Sequence, residues 1–516
     1  MLRTQFHYNK IELLIFLIVI VAGLATAFYL YNNDKYSLIY YGDSASHLVA
    51  ARKIVDWSEN PGLSQVGTVW LPLPHFLLIP FVLIDPLFTT GFAGVVVSLP
   101  SLAITSLLLY KMIRSLTGYS HIAFAGALLY AFNPNMLYMG ITAMTEAPFM
   151  LFFVGGAFYF QRWYQNLGSG RFHDLVKCSI LISLATFSRY EGWFLPVILL
   201  ILVSFLMMKS SMNKRKKVFT ILIPLFSFSC IVIWIIYNFL KYGHPFEFAN
   251  AQFYSAAWQA ATHPIRAMLF MQPLNVLDVY GTTAIVVYGP ILLVVAALGI
   301  ISHKRLKGNH EKKSLFIFLA VPPVFTIISL LIGIGEMAYW FNARYMMLLS
   351  PIIIVTASLF VARTYERVKK KTALLGIFSI LFLYPLISPV IVVPTYVDAV
   401  NGFTYNQNPF SIQAGEKIGQ VYDGGMIYTM TGSAQEHRIM ISSGIALRNF
   451  DEITGFSTSK SSFKEPWLHD KWMMLGKVPD SDAQSVTNYW IENRDQLNEH
   501  YNLAYENDYY EILVRK

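Results

Sequence analysis

Long apolar runs separated by short polar breaks dominate the first 390 or so residues of the chain. A helix needs about 20 apolar residues to cross roughly 30 Å of hydrocarbon. Runs of that kind fall near 11–31, 90–113, 120–139, 145–163, 176–188, 192–210, 218–240, 281–302, 314–334, 345–362 and 372–392. The pattern therefore predicts about eleven membrane spans. The 176–188 run is the shortest, and its loss would invert everything after it.

The polar breaks predict the remaining elements. The longest early interruption is Tyr40–Pro74. Within it, 43–57 (DSASHLVAARKIVDW) places Ala45, Leu48, Ala51 and Val55 on one stripe, as expected of an amphipathic helix lying along the membrane surface. Asp43 opens that helix and His47 follows four residues later on the same side. Residues 74–88 are short and proline-broken, which predicts a juxtamembrane or re-entrant element. The 241–280 stretch alternates aromatic with small residues and reads as an interfacial segment able to cover a cavity as a lid. From about 395 no spanning run remains. Strand-like segments at 426–430, 438–442 and 512–514 predict a small mixed α/β domain there. The division is thus a transmembrane domain over 1–394, whose outer loop 32–75 carries the candidate chemistry, and a soluble domain over 395–516. The first run resembles a signal sequence, with Ala25-Thr26-Ala27 as a cleavage-like site, but its length and aromatic end favour a retained span.

Composition and charge agree. Hydrophobic residues make up 55% and charged residues 13%, with a mean hydropathy of +0.48. Soluble domains carry about a quarter charged residues, so the fold class is an α-helical polytopic membrane protein. The net charge of +9 points to nucleic acid only if the basic residues share a soluble face. Instead, 22 Lys and Arg crowd into alternate short loops, with KRKK at 214–217 and KKK at 369–371. The other loops before the tail hold 7 basic and 10 acidic residues. That is the positive-inside pattern. It predicts a multi-pass plasma-membrane protein with a cytoplasmic N-terminus, an extracytoplasmic tail and no nucleic-acid partner. Cys178 and Cys230 both lie in apolar runs and form neither a disulfide framework nor a zinc cluster.

This orientation places Asp43, Glu146, Arg189, Glu191, His244, Glu247, Glu336 and Arg344 at outer helix ends. Ionisable groups at membrane depth are costly unless they pair or meet water, which makes them functional candidates. Each read singly is equally an interfacial anchor or a helix cap, and Asp43 or Ser44 would cap the 43–57 helix. Gathered on one leaflet, they predict a shared cavity. A carboxylate at its mouth suits a general base that takes a proton from a hydroxyl, or a proton relay.

Asp43 just after the first span, Ala51-Arg52 on the next helix, and Trp70-Leu71-Pro72-Leu73-Pro74 entering the membrane together resemble the first outer loop of polyprenyl-phosphate-dependent glycosyltransferases of the GT-C fold. The likeness is to the protein O-mannosyltransferase and aminoarabinose transferase group. Thr145-Glu146-Ala147-Pro148, Ser188-Arg189-Tyr190-Glu191-Gly192-Trp193 and Phe341-Asn342-Ala343-Arg344-Tyr345 extend it. Two departures stand out: Ser44 occupies a position where members often have a second acid, and the tail has no WWDYG-like motif, unlike oligosaccharyltransferases. The resemblance implies inverting transfer of a sugar from a dolichyl- or polyprenyl-phosphate donor to a hydroxyl acceptor on a protein, glycan or lipid. Asp43 would be the base. Arg189 and Arg344 would bind the leaving phosphate in a bidentate fork, with His47, Arg52, His75, Lys241 and Tyr345 as further substrate-side candidates. Glu146 would orient a sugar hydroxyl or cap its helix, and Glu191, a further substrate-side candidate, or Glu146 could instead pair with Arg189. Asp43 and Glu146 could share a divalent cation, but two separated carboxylates establish no metal site. The competing readings are a secondary transporter or lipid flippase, which calls for mid-membrane charges and inverted repeats, and a receptor-like scaffold.

Overall fold

The computed structural model describes residues 2–516 except 59, 168–171, 252–254, 305–309, 369–392, 406–407, 431–433, 454–463 and 479–485. The run expected at 372–392 lies outside the described residues.

Helix α1 (Leu2–Asn33) continues past the Ala25–Ala27 stretch without a break. It is followed by α2 (Gly42–Lys53), α3 (Leu73–Val82), α4 (Asp85–Thr89), α5 (Phe92–Thr117), α6 (Ser120–Ala131), α7 (Pro134–Met139) and α8 (Glu146–Gln165). Five helices among the described residues are long and apolar enough to cross a membrane, and seven are if each of two bent pairs counts as one span. Large apolar side chains stay exposed on these helices, such as Leu17 and Val21 on α1 and Leu240 and Met208 further on. A face of that kind is stable only against lipid or a partner.

Local chemistry explains where spans break. The run at 120–139 splits because Asn133 accepts hydrogen bonds from the Asn135 and Met136 N–H groups and Pro134 opens α7. Asn133 Nδ2 also donates to the Val287 carbonyl at 2.8 Å, tying this break to the helix Pro273–Tyr288. The single span expected at 281–302 is corrected. Helices Pro273–Tyr288 and Pro290–Lys304 meet at 108°, because Gly289 (φ +77°) ends one and Pro290 starts the next. A milder 40° bend separates Glu311–Leu319 from Val321–Leu331.

Helix α2 is the second correction. Every residue from Ser44 to Lys53 is buried, and α2 is packed between α3 and the tail helix Ala434–Ser443 instead of lying on a membrane surface. Its apolar stripe meets protein. Residues 74–88 form α3 and α4, short helices that return the chain to α5.

The tail carries a five-stranded sheet in the order β2-β1-β3-β5-β4, with β1 Met426–Met430, β2 Phe450–Ile453, β3 Asp470–Gly476, β4 Tyr501–Glu506 and β5 Tyr510–Arg515. Strand β1 runs parallel to β2 and β3, and β5 runs antiparallel to β3 and β4. Strands were expected at 426–430 and 512–514, and both segments are strands. The strand expected at 438–442 is a helix, Ala434–Ser443. Its Glu436–Ile441 stretch is buried against α2 and the helix Asn408–Val421, so packing overrides the β-branched pattern.

Candidate active site

Asp43 sits on the first turn of α2, whose N-cap is Tyr41 with no side-chain cap bond. Neither Asp43 nor Ser44 caps the helix, contrary to the plain reading of that position. The Asp43 Oδ2 accepts a 2.7 Å hydrogen bond from Arg344 Nη1, in a salt bridge whose carboxylate side keeps 41% exposure while the arginine side chain keeps 13%. Burial among surrounding protein works against its ionisation. The charges of Arg344 and Arg189, with the hydrogen bond from Arg344, outweigh that and hold the Asp43 carboxyl below its ordinary value.

Arg344 approaches from the short 3₁₀ turn Ala343–Leu349. Its guanidinium carbon lies 5.6 Å from the Tyr41 ring centroid and 5.7 Å from that of Tyr345. The Nε is 3.8 Å from Glu146 Oε1, too far for a hydrogen bond, and is buried without a hydrogen-bond partner among the described residues. Glu146 Oε2 is also buried and unpartnered.

Arg189 is arranged differently. Nη1 donates to Glu146 Oε1 at 2.7 Å and to Thr145 Oγ1 at 2.8 Å. Nη2 and Nε donate to the two oxygens of Glu191 at 2.6 and 3.2 Å. The expected ion pairs with Glu146 and Glu191 both form, and they occupy this guanidinium on both edges. Glu146 is held by Arg189 and does not serve as a simple cap of α8. Tyr345 lies between the cations, 5.8 Å from the Arg189 guanidinium carbon. Asp43, Glu146, Arg189, Glu191, Arg344 and Tyr345 therefore form one cluster.

His47 borders it. His75 Nδ1 lies 3.2 Å from the Leu71 carbonyl, which only accepts, so with neutral rings that nitrogen carries the proton. His75 Nε2 then accepts from His47 Nδ1 at 2.9 Å, which leaves His47 Nε2 unprotonated. Burial pushes His47 down to about 4, despite the opposing pull of Asp43. Trp70 covers the pair, 4.4 Å from His47 and 5.8 Å from His75 between ring centroids.

The other candidates are placed elsewhere. Arg52 is taken up by Asp56 (3.0 Å) and Asp85 (2.7 Å) and lies over the Phe88 ring. Lys241 is exposed on the last turn of the helix Ser229–Tyr242, and no ion pair among the described residues joins it to the cluster. Ser44 is structural: its Oγ donates to the Leu38 carbonyl (3.1 Å) and accepts from Ala143 N (3.2 Å). A carboxylate here would face that carbonyl with no proton to give. Among the described residues no group of three or more His, Cys, Asp or Glu side chains gathers to hold a metal ion.

The 241–280 segment folds against the site through aromatic contacts. Phe248 stacks on Tyr190 at 5.1 Å, and His263 stacks on Phe341 at 5.2 Å. Sequence reasoning missed Asp398, on the helix Pro394–Tyr405, which accepts from Tyr41 and from the Asn342 backbone. It lies beyond the expected domain boundary, so nothing in the pattern linked it to Asp43.

Solved structures share this architecture. The chain matches ArnT from Cupriavidus metallidurans bound to undecaprenyl phosphate with a TM-score of 0.57 at 11% identity, covering 96% of this chain and 97% of that one. The chain has the GT-C fold. The apo form of the same ArnT matches at 0.56, again at 11% identity and over 96% and 97% of the two chains. A weaker likeness, TM-score 0.49 at 13% identity over 90% of this chain and 69% of that one, links it to the oligosaccharyltransferase AglB from Archaeoglobus fulgidus with an inhibitory peptide and a dolichol-phosphate. Residues 77–234 of this GT-C chain match the model of the dolichyl-phosphate-mannose-protein mannosyltransferase family. No curated protein matches the sequence.

Proposed function

We propose that this GT-C protein is an inverting glycosyltransferase of the outer membrane face, moving a sugar from a dolichyl- or polyprenyl-phosphate to a hydroxyl acceptor. The observation that carries the reading is the Asp43–Arg344 pair: an accessible carboxylate bonded to a guanidinium whose Nε has no partner. In the free protein the two neutralise each other. When the donor binds, its phosphate takes the guanidinium, for which a bidentate phosphate contact is well suited. Asp43 then loses its counter-ion beside an acceptor hydroxyl. The acceptor O–H proton passes to Asp43, and the acceptor oxygen attacks the anomeric carbon from the face opposite the phosphate. The bond from that carbon to the phosphate oxygen breaks, and its electron pair leaves on the lipid phosphate against Arg344.

Arg189 serves as a fixed post that orients Glu146 and Glu191 toward the sugar. The family match at 77–234 and the undecaprenyl phosphate held by the ArnT neighbour support a lipid-phosphate donor. The basic-loop asymmetry supports a cytoplasmic N-terminus and an extracytoplasmic tail domain beginning near 395. The test is transfer of radiolabelled sugar from polyprenyl-phosphate donors by the purified chain. Asp43→Asn should cut turnover by roughly 10²- to 10⁴-fold, the usual worth of a general base, while undecaprenyl phosphate still binds. Full activity in that variant would remove Asp43 as the base.

A further inference from the structure

Asp398 lies on the helix Pro394–Tyr405, which leads into the tail. A single oxygen, Oδ2, accepts two hydrogen bonds of 2.9 Å, one from the Tyr41 hydroxyl and one from the Asn342 backbone N–H. Both routes end at Arg344. The Tyr41 ring faces the Arg344 guanidinium, and Asn342 stands two residues before it. Asn342 is in the left-handed region at φ +55°, a conformation that is strained for a non-glycine residue. Two bonds hold it there: its N–H to Asp398 and its Nδ2 to the Glu336 carbonyl at 3.1 Å. The turn that aims Arg344 is therefore set partly by a carboxylate arriving from the tail.

The Asp398 helix is itself fixed. Thr395 donates through its backbone N–H and its Oγ1 to Asn135 Oδ1, at 3.1 and 3.0 Å. Burial pushes the Asp398 carboxyl up to about 6, against the pull of Arg344 and of its two hydrogen bonds. Its charged and titratable neighbours are Arg344, Asp43, Tyr41 and Tyr138, from three different elements. Arg344 thus sits in the field of Asp43, Glu146 and Asp398. Asp43 bonds the guanidinium directly, and Asp398 bonds the groups that shape its seat.

We propose that Asp398 is a positioning residue for Arg344, holding the guanidinium where the phosphate of a polyprenyl-phosphate donor binds. The proposal rests on the reading of Arg344 as the donor-phosphate ligand. It gives the tail segment a part in donor binding, in addition to any contact it makes with acceptor.

The test measures undecaprenyl phosphate binding to the purified full-length protein in three variants, with the thermal midpoint recorded for each. Asp398→Ala should weaken binding about tenfold, equivalent to about 1.4 kcal/mol, by releasing both donors. Asp398→Asn keeps an amide oxygen that accepts from Asn342 and Tyr41, and should bind within about threefold of the wild type. Arg344→Ala is the control for the underlying reading. Wild-type affinity in Arg344→Ala would sink the donor-site assignment itself. Loss in Arg344→Ala with wild-type affinity in Asp398→Ala would sink the positioning role alone. Equal loss in Asp398→Ala and Asp398→Asn would also overturn it, because the hydrogen bonds could not then be the cause. If Asp398→Ala does not fold, Tyr41→Phe decides: it cuts one route while keeping the ring, and unchanged affinity there would refute the proposal.

Discussion

Arg344 cannot fully serve Asp43 and a donor phosphate at once, and this competition has a measurable consequence. In the free protein the guanidinium holds Asp43 below its ordinary value. Once a phosphate draws off that charge, the Asp43 value rises toward and above the ordinary carboxylate range, because burial is then opposed mainly by the more distant Arg189. The acid limb of kcat reports the donor complex, and that of kcat/KM reports the free enzyme. The limb of kcat should therefore lie at higher pH than that of kcat/KM, a comparison for pH–rate profiles in an Asp398→Asn background that removes the group titrating near 6. Coincident limbs would mean that the phosphate does not displace this pair. His47 makes a separate prediction. Its folded value of about 4 lies below the ordinary 6.5, so between those values the unfolded chain binds a proton that the folded chain refuses. Stability is then complete above about pH 6.5 and falls as pH drops toward 4, by at most on the order of 3 kcal/mol. Thermal melts across that window should show the slope, and His47→Gln should reduce it, leaving the shares of His75 and His437, whose values burial also lowers, and the opposing share of Asp398, whose carboxyl burial raises to about 6.

At the scale of elements, the outer loop is gripped from the tail between Ile39 and Lys53. Arg438 donates to the Ile39 and Tyr40 carbonyls at 3.2 and 2.6 Å, His437 bonds Ser46 at 2.8 Å, and Lys53 pairs with Glu452 at 2.5 Å. On the membrane side, α5 closes against the turn before α8. A Cβ added at Gly94 would stand 2.4 Å from Ala143 N, a backbone atom that cannot swing aside. Gly94→Ala should cost about 1–3 kcal/mol by overpacking. The same N–H bonds Ser44, next to Asp43, so transfer should fall along with the melting temperature. A melting curve identical to wild type would show that the turn relaxes freely. The loop is thus held rigid on both sides, as a base that must meet an acceptor within hydrogen-bond reach requires.

For the whole molecule, the side of the membrane that faces the chemistry follows from charge. The loop 209–217 carries five basic residues and no acids, and should be cytoplasmic, whereas the tail should share the outer side with Asp43. Arg215 and Glu499 are exposed. In a chain with Cys178 and Cys230 replaced, Glu499→Cys should react with a membrane-impermeant maleimide in intact cells, and Arg215→Cys only after permeabilisation. The reverse labelling would invert the orientation and place Asp43 in the cytoplasm.

The polytopic membrane character, the helix-end charges and the opening loop were legible in the chain because each depends on local quantities: run length, loop charge, and residue type near a helix end. Asp43, Glu146, Arg189, Glu191 and Arg344 could be listed on that basis, and the structure gathers them. The division of labour between the two arginines could not, because a guanidinium's free donors depend on which carboxylates reach it across more than a hundred residues. Arg189 is held by neighbours close in sequence, Glu191 two residues and Glu146 43 residues away, whereas Arg344 reaches back 301 residues to Asp43 and keeps Nε unpartnered among the described residues. The fate of α2 was likewise hidden, since an apolar stripe fits lipid and protein equally and only the docked tail helix chooses. Asp398 was invisible for the same reason. The hydrophobic pattern of the chain determined a multi-span membrane protein with its polar chemistry at helix ends. Only the tertiary structure decided which charges pair, because pairing is set by distances between segments that periodicity does not encode.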